Sequence, residues 1–360
     1  MSNDNLNYDP FIRGPFPVGV LTENLTDSER NRNLPIEIWY PALEKYTGQD
    51  LVEETQDEYE LFAQKIKQDA VREAQLREGC YPLIMFSHGF SGHRRQTTHF
   101  CTHLASHGYV VASVDHTGNT MMDLIQNYIA NQSGASSTDM ETLGTQSAYD
   151  RPLDIKFAID CLLKGETLIP TNNLDSSKIG MTGHSFGGWT TLVMPSIDKR
   201  IKATLPLAPG GGNSGEASII TLGDQLNWDH EVPTLYLVGE GDVILPLKGM
   251  YDLFNRTKEP KRMVILKNAD HFHFNDRIEQ THEFFRNQAS IMRSEDATGL
   301  SEKMRPVSEL CPAEKAYSFI RGLGLAHMDA FIQKDLIANQ FITNGLKASL
   351  TKRKIDAKIV

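Results

Sequence analysis

Apolar positions along this 360-residue chain follow two rhythms. Short continuous apolar runs recur at Tyr81 to Phe86, Tyr109 to Val114, Ile179 to Thr182, Ile201 to Leu207, Thr234 to Val238 and Arg262 to Leu266. Each has the length and character of a strand buried on both faces. Between them lie helical patterns: Gln96 to His107 closed by Gly108, Arg151 to Leu163 with Pro152 in its first turn, Trp189 to Met194, and Leu247 to Phe254. Upstream, Pro17 to Leu21 and Leu34 to Pro41 read as two further strands, with Asp27 to Asn33 as the polar turn between them. Strands alternating with helices predict an α/β protein: a mostly parallel central sheet with helices on both faces, joined by right-handed crossovers. No repeats or linkers divide the chain, so one domain over residues 1–360 is expected.

Four stretches depart from that rhythm. Residues 1–14 read as an arm. Tyr46 to Gly79 is charged, with Leu61, Phe62, Ile66, Ala70 and Val71 at helical spacing, and predicts an inserted amphipathic helix (46–79), either a lid or an ordinary surface helix. Asp115 to Tyr149 is long and polar, with one short helix at Met121 to Ala130 and an Asn/Ser/Gly/Thr-rich part at Asn131 to Thr138. A loop of that length (115–149) in a compact domain is commonly functional, here a candidate lid. Ala208 to Asn213 reads as a mobile Gly-rich loop. From Ile278 to residue 360 the pattern is helical, clearest at Ala316 to Gly322 and Met328 to Phe341.

Composition narrows the class. A net charge of −10 argues against a nucleic-acid partner, and Lys352-Arg353-Lys354 reads as a solvated helix end. No apolar run reaches the eighteen residues a membrane span needs, and the polar N-terminus shows no secretory h-region. Cys80, Cys101, Cys161 and Cys311 are scattered without zinc spacing, as free thiols in a reducing compartment would be, so a cytoplasmic location is expected.

The chemistry centres on Gly183-His184-Ser185-Phe186-Gly187, which fits the Gly-x-Ser-x-Gly nucleophile elbow. A serine on a sharp strand-to-helix turn needs small neighbours two residues either side, because their Cβ atoms would collide across the turn. The helix N-terminus that comes next directs free N–H groups at the reacting centre. A serine at neutral pH needs a base, itself oriented by an acid, in the chain order acid then histidine. Asp242, in the loop after the Thr234 run, and His271, after the Arg262 run, occupy those places. Glu240 is the rival acid, His273 the rival base, and Asp270 reads as a neighbour of the site rather than a member.

The oxyanion hole is expected from two backbone N–H groups, those of Phe186 and of Phe90 in the Ser87-His88-Gly89-Phe90 loop. The His88 side chain is expected to tie this loop down. His184, Trp189 and Phe272 are candidate substrate-pocket residues. His99, His103 and His107 recur every four residues, a spacing that can hold a metal, but no carboxylate sits where a zinc hydrolase would use it and His107 suits a helix cap. No metal and no cofactor are expected.

Phe86-Ser-His-Gly-Phe, Leu104-Ala-Ser-His-Gly-Tyr-Val-Val-Ala-Ser-Val-Asp-His and Gly183-His-Ser-Phe-Gly-Gly together resemble the α/β-hydrolases of the platelet-activating factor acetylhydrolase (isoform II, plasma-type) and dienelactone-hydrolase-like group. Pro17-Val-Gly-Val and Ile38-Trp-Tyr-Pro-Ala are similar to its bacterial members, and the resemblance spans roughly Pro15 to Asn275. It implies the α/β-hydrolase fold, Ser185 as nucleophile, His271 as base, and Phe90 and Phe186 as oxyanion donors. The plasma-type enzymes carry the acid after the strand following the elbow helix, where this chain has Leu207-Ala-Pro-Gly-Gly-Gly. The acid is therefore expected one strand later, at Asp242, as in bacterial polyester hydrolases and dienelactone hydrolases; the latter usually use cysteine where this chain has serine. The expectation is a serine-dependent carboxylic ester hydrolase acting through an acyl-enzyme on a small short-chain ester. An amidase, thioesterase, carbon–carbon hydrolase or polyester/lipid hydrolase with the same triad, and a non-catalytic ligand-binding relative, are the alternatives.

Overall fold

The apolar runs become strands of a computed structural model that describes residues 8–61, 63–134, 138–215, 220–291 and 302–360. In chain order the strands are β1 (Val18–Asp27), β2 (Arg32–Pro41), β3 (Asp57–Leu61), β4 (Gln64–Gln68), β5 (Val71–Arg72) and β6 (Tyr81–Ser87). They continue with β7 (Val110–Val114), β8 (Leu174–His184), β9 (Ile201–Leu207), β10 (Thr234–Gly239), β11 (Lys261–Leu266) and β12 (Ala357–Ile359). All but β3 and β4 join one sheet in the order β12–β11–β10–β9–β8–β6–β7–β2–β1–β5. The six strands from β11 to β7 are parallel, and β12, β2 and β1 are antiparallel to their inner neighbours.

The helices are α1 (Thr98–Ser106), α2 (Met121–Gln132), α3 (Met140–Lys164), α4 (Phe186–Ile197), α5 (Leu247–Arg256), α6 (Ile278–Ile291), α7 (Ala313–Met328), α8 (Leu336–Gln340) and α9 (Leu346–Lys352). Two apolar cores result, one on each face of the sheet, because alternate residues of a strand point to opposite sides. Leu83 and Met85 pack with Val110, Ala112, Ile155 and Ile159, whereas Ile84 and Phe86 pack with Phe100, Leu104, Val111 and Leu192. The chain leaves β6 for β7 on one side and comes back as β8 on the other. Such a reversal opens a crevice at the carboxyl ends of the strands.

Four expectations need correction. Residues 46–79 hold a hairpin rather than an amphipathic helix: β3 pairs antiparallel with β4 and β5 pairs parallel with β1. The period is two, with Tyr59 opposite Ile66, and the buried positions include Asp57 and Gln68. Those polar groups satisfy one another over long range: Trp39 Nε1 donates to Gln68 Oε1 (2.7 Å), and Arg72 and Gln68 donate to Asp57. An apolar count cannot register such a core. Phe62 lies outside the described residues.

Segment 115–149 is mostly helical. A reciprocal capping box between Thr120 and Asp123 starts α2, and Asp139 caps α3 by accepting from Thr142 N–H. Pro152 consequently sits in the middle of α3 instead of its first turn. Within the polar part at Asn131 to Thr138, residues 135–137 lie outside the described ones. The loop after β9 is packed: Ala208, Pro209, Gly210 and Gly211 are buried, with Gly210 N–H bonded to Ser185 O and Ala208 N–H to Leu237 O. The expected helix from Met328 breaks at Lys334, which takes a left-handed φ of 60°, because Asp335 caps α8 through the N–H groups of Ile337 and Ala338. The arm is held at its described end, where Tyr8 and Tyr109 hydroxyls both donate to half-buried Asp329 (2.7 Å each). Among the described residues no helix is long and apolar enough to cross a membrane.

Candidate active site

Ser185 sits between β8 and α4 with φ 58° and ψ −114°, a conformation costing an L-residue about 1–3 kcal/mol. It is held there from both sides: its N–H donates to Leu207 O (2.9 Å), and its carbonyl accepts from Trp189 and Gly210 N–H. The glycines of the motif are required by contact. A Cβ on Gly183 would stand 2.5 Å from Ser87 O and from Gly187 O, and one on Gly187 would stand 1.8 Å from Ser87 O. Ser87 is the last residue of β6 and pairs in register with Gly183, so the loops leaving β6 and β8 run side by side over the crevice.

Asp242 and His271 come from the loops after β10 and β11. Asp242 Oδ2 accepts from His271 Nδ1 at 2.7 Å, while Oδ1 accepts from the N–H groups of Ile244 (3.0 Å) and Leu245 (2.7 Å). Both residues are buried. Burial by itself pushes the His271 pKa down, but the charge of Asp242 and the bond to it prevail and leave the imidazole above its ordinary value. Asp270 caps the 3₁₀ turn His271–Phe274 by accepting from His271 N–H, and burial raises its pKa.

The rivals are engaged elsewhere. Glu240 is paired at the surface with Lys267. His273 accepts from Asp270 N–H through Nδ1 (2.9 Å), and its Nε2 meets Cys311 O at 3.1 Å.

The loop after β6 lies against the serine: a Cβ on Gly89 would be 3.5 Å from Ser185 Cβ. Among the described residues neither Phe90 N–H nor Phe186 N–H has a hydrogen-bond partner, and their rings stack at 6.3 Å. His88 ties the loop, its Nδ1 donating to Gly89 O (2.7 Å) and its Nε2 accepting from His116 N–H (3.0 Å).

Of the three candidate pocket residues, His184 and Phe272 are placed otherwise. His184 is buried, donates through Nε2 to His271 O (3.0 Å) and accepts at Nδ1 from Gln96 Nε2 (3.1 Å), so it braces His271 from behind. Burial drives its pKa well below the ordinary value, which keeps it neutral for both bonds. Phe272 is face-stacked on Phe285 at 4.4 Å, against α6. Trp189 does line an opening: with Tyr149, Leu153, Val193 and Ile220 it borders a groove of about 520 Å³ beside α4.

Three supporting residues carry no local signal in the sequence. Gln96 Oε1 accepts from Gly89 N–H (2.6 Å), and its amide also reaches Asn275 Oδ1. Arg151, from the middle of α3, bonds to the carbonyls of His88 and Gly89. His116 links Ser87 Oγ (2.9 Å) to Asp154 Oδ2 (3.0 Å). That second serine–histidine–aspartate array is wholly buried, Asp154 is also bound by Arg30 and Arg32, and no carbonyl substrate reaches Ser87. His103 on α1 and His107 just after it meet the carbonyls of Pro10 and Ile12 in the arm, and His99 on α1 lies on the Tyr317 ring.

A reversed parallel sheet, a strained serine at the carboxyl end of a central strand, and a histidine–aspartate pair delivered by the next strands define an α/β-hydrolase. Residues 24–151 match the family model for platelet-activating factor acetylhydrolase, isoform II, and residues 139–293 match the PET hydrolase-like model. Platelet-activating factor acetylhydrolase of Cavia porcellus is 25% identical over 219 residues, covering 54% of this chain and 48% of that protein. Cutinase est1 of Thermobifida alba is 26% identical over 196 residues, covering 53% and 54%. The chain thus spans about half the length of these curated relatives. The structure of a ferulic acid esterase from Streptomyces cinnamoneus superposes with a TM-score of 0.64 at 21% identity, over 89% of this chain and 92% of that one. This protein has the α/β-hydrolase fold, and in two stretches its sequence is similar to the platelet-activating factor acetylhydrolase, isoform II, and PET hydrolase-like families.

Proposed function

We propose that the chain is a serine-type carboxylic ester hydrolase that works through an acyl-enzyme. Ser185 attacks the ester carbonyl; His271, oriented by Asp242, takes the serine proton and returns it to the leaving alkoxide. The N–H groups of Phe90 and Phe186 bind the tetrahedral oxyanion, and water then repeats the sequence on the acyl-enzyme. The observation that carries this reading is the 2.7 Å bond between His271 and Asp242 at the same sheet edge as the strained Ser185. The acetylhydrolase and cutinase relatives support ester chemistry.

A short-chain ester is the leading substrate. A second reading, a bulkier lipid or polyester acyl group, is favoured by the groove beside Trp189 and by the cutinase relatives. Both inserted segments are tied to the site, Ser91 bridging to Thr120 and Arg277 donating to Gln64, which suits a role in sizing the substrate. Four free cysteines support a reducing, cytoplasmic location, and the acidic charge supports a protein without a nucleic-acid partner.

A p-nitrophenyl ester series from acetyl to dodecanoyl, with Ser185→Ala and fluorophosphonate labelling alongside, tests the proposal. Serine-dependent turnover with label on Ser185 is the expected result. Turnover that survives Ser185→Ala, or an unlabelled Ser185, overturns it. A rate falling beyond butyryl selects the first substrate class; one that holds to long chains selects the second.

A further inference from the structure

We infer that Arg151 is a positioning residue for the oxyanion hole, holding the Phe90 donor peptide through its carbonyl, packing on the ring of the Phe186 donor and supplying an unneutralised positive charge behind them. This rests on the ester-hydrolase reading and extends it to a residue some 34 positions before the nucleophile elbow.

The guanidinium carries five N–H donors in a rigid fork, and here each of its three nitrogens faces acceptors. Nε and one terminal nitrogen donate to Asn119 Oδ1, Nε at 3.1 Å. The other terminal nitrogen donates to His88 O (2.6 Å) and Ser87 Oγ (3.3 Å), and the first also donates to Gly89 O (2.9 Å). Gly89 O belongs to the same peptide group as Phe90 N–H, the candidate oxyanion donor. Hydrogen bonds in sequence polarise one another, so donors on the oxygen of that peptide strengthen its N–H as a donor. Gln96 fixes the preceding peptide from its other side through Gly89 N–H (2.6 Å).

The same guanidinium lies 4.4 Å from the ring of Phe186, whose N–H is the other candidate donor. One buried cation therefore contacts the peptide of one donor and the side chain of the other.

The electrostatic surroundings point the same way. Arg151 is fully buried, yet among the described residues no carboxylate forms an ion pair with it; Asp154, whose charge acts on it, is taken up by Arg30, Arg32 and His116. A buried charge without a paired counter-charge is costly, and such an arrangement is expected where negative charge develops during a reaction. Asn119 is built around it: its Oδ1 accepts only from Arg151, and its Nδ2 has no partner among the described residues. The buried Ser87–His116–Asp154 array completes the support by holding Ser87, from which the loop departs.

The test compares wild type with Arg151→Met, Arg151→Lys and Asn119→Ala. Readouts are kcat and KM on p-nitrophenyl butyrate, inhibition by a trifluoromethyl ketone, and melting temperature. Removal of one oxyanion donor costs about 10²–10³ in kcat, so Arg151→Met is expected to lose about 10²-fold in kcat with KM nearly unchanged. Ketone affinity should fall in parallel with kcat, since only the tetrahedral adduct carries the oxyanion. Arg151→Lys should recover part of the loss, and Asn119→Ala should lose about 10-fold by loosening the fork. Should Arg151→Met fail to fold, the other two variants decide. A kcat within twofold of wild type for both, or ketone affinity that stays constant while kcat falls, overturns the inference. Ser185-dependent turnover in the wild type must be present in either case; its absence overturns the hydrolase reading itself, and this inference with it.

Discussion

Replacement of Asp242 by Asn removes one charge and keeps the shape, and the hydrogen bonds around the side chain fix the outcome. Oδ1 of Asp242 accepts two backbone bonds, from Ile244 and Leu245, while Oδ2 accepts one from His271 Nδ1. An asparagine has only one oxygen. Turned toward the two N–H groups, it leaves its NH₂ facing His271; turned toward His271, it leaves two backbone donors opposed to its NH₂. Each unmet buried donor costs about 1–3 kcal/mol, so the first orientation prevails by roughly 2–6 kcal/mol. In that orientation His271 must accept at Nδ1 and carry its proton on Nε2, and it then has no lone pair with which to take the serine proton. A preference of roughly 2–6 kcal/mol depresses the active tautomer about 30-fold to about 10⁴-fold, and loss of the charge that stabilises the imidazolium adds to it. The expected loss in kcat is about 10⁴-fold, about 5.4 kcal/mol. The melting temperature should move little, because both loop bonds survive. Steady-state kinetics on p-nitrophenyl butyrate beside a thermal melt makes the check. A kcat within tenfold of wild type, in a variant that melts normally, would contradict this account and move the acid to another carboxylate, Glu240 first.

The same geometry sets three further outcomes. Because His271 must be neutral to act as base and its pKa is raised, kcat/KM should fall on the acid side with a midpoint above the ordinary imidazole value of about 6.5; a midpoint at or below that contradicts the pairing with Asp242. Gly187→Ala should prevent the elbow from closing, since the new Cβ would meet Ser87 O at 1.8 Å; soluble protein with wild-type activity and melting temperature would show that the strand ends can part without cost. Trp189→Ala enlarges the groove beside α4, and the acyl-chain preference should shift toward longer esters by several-fold in kcat/KM; an unchanged profile would mean that the acyl chain lies elsewhere.

The features of this protein written in local pattern are legible in the chain alone. Buried parallel strands show as continuous apolar runs, and β6, β7, β9, β10 and β11 stand within a residue or so of where those runs predict them. The elbow is legible because the steric demand at Ser185 acts on glycines two residues away. The positions of Asp242 and His271 are legible because the loops at the carboxyl ends of consecutive parallel strands meet at one edge. Long-range packing settles the remainder. The 46–79 segment buries Asp57 and Gln68, and Trp39, which donates to Gln68, is brought near only by the sheet. Likewise His184 is a brace rather than a pocket wall because its partner, His271 O, lies 87 residues downstream, and Arg151 reaches His88 and Gly89 across 62 residues or more. An apolar side chain needs only to be out of water, which periodicity reports. A buried polar group needs a particular partner at about 3 Å, and the choice of partner exists only once distant segments have been brought together.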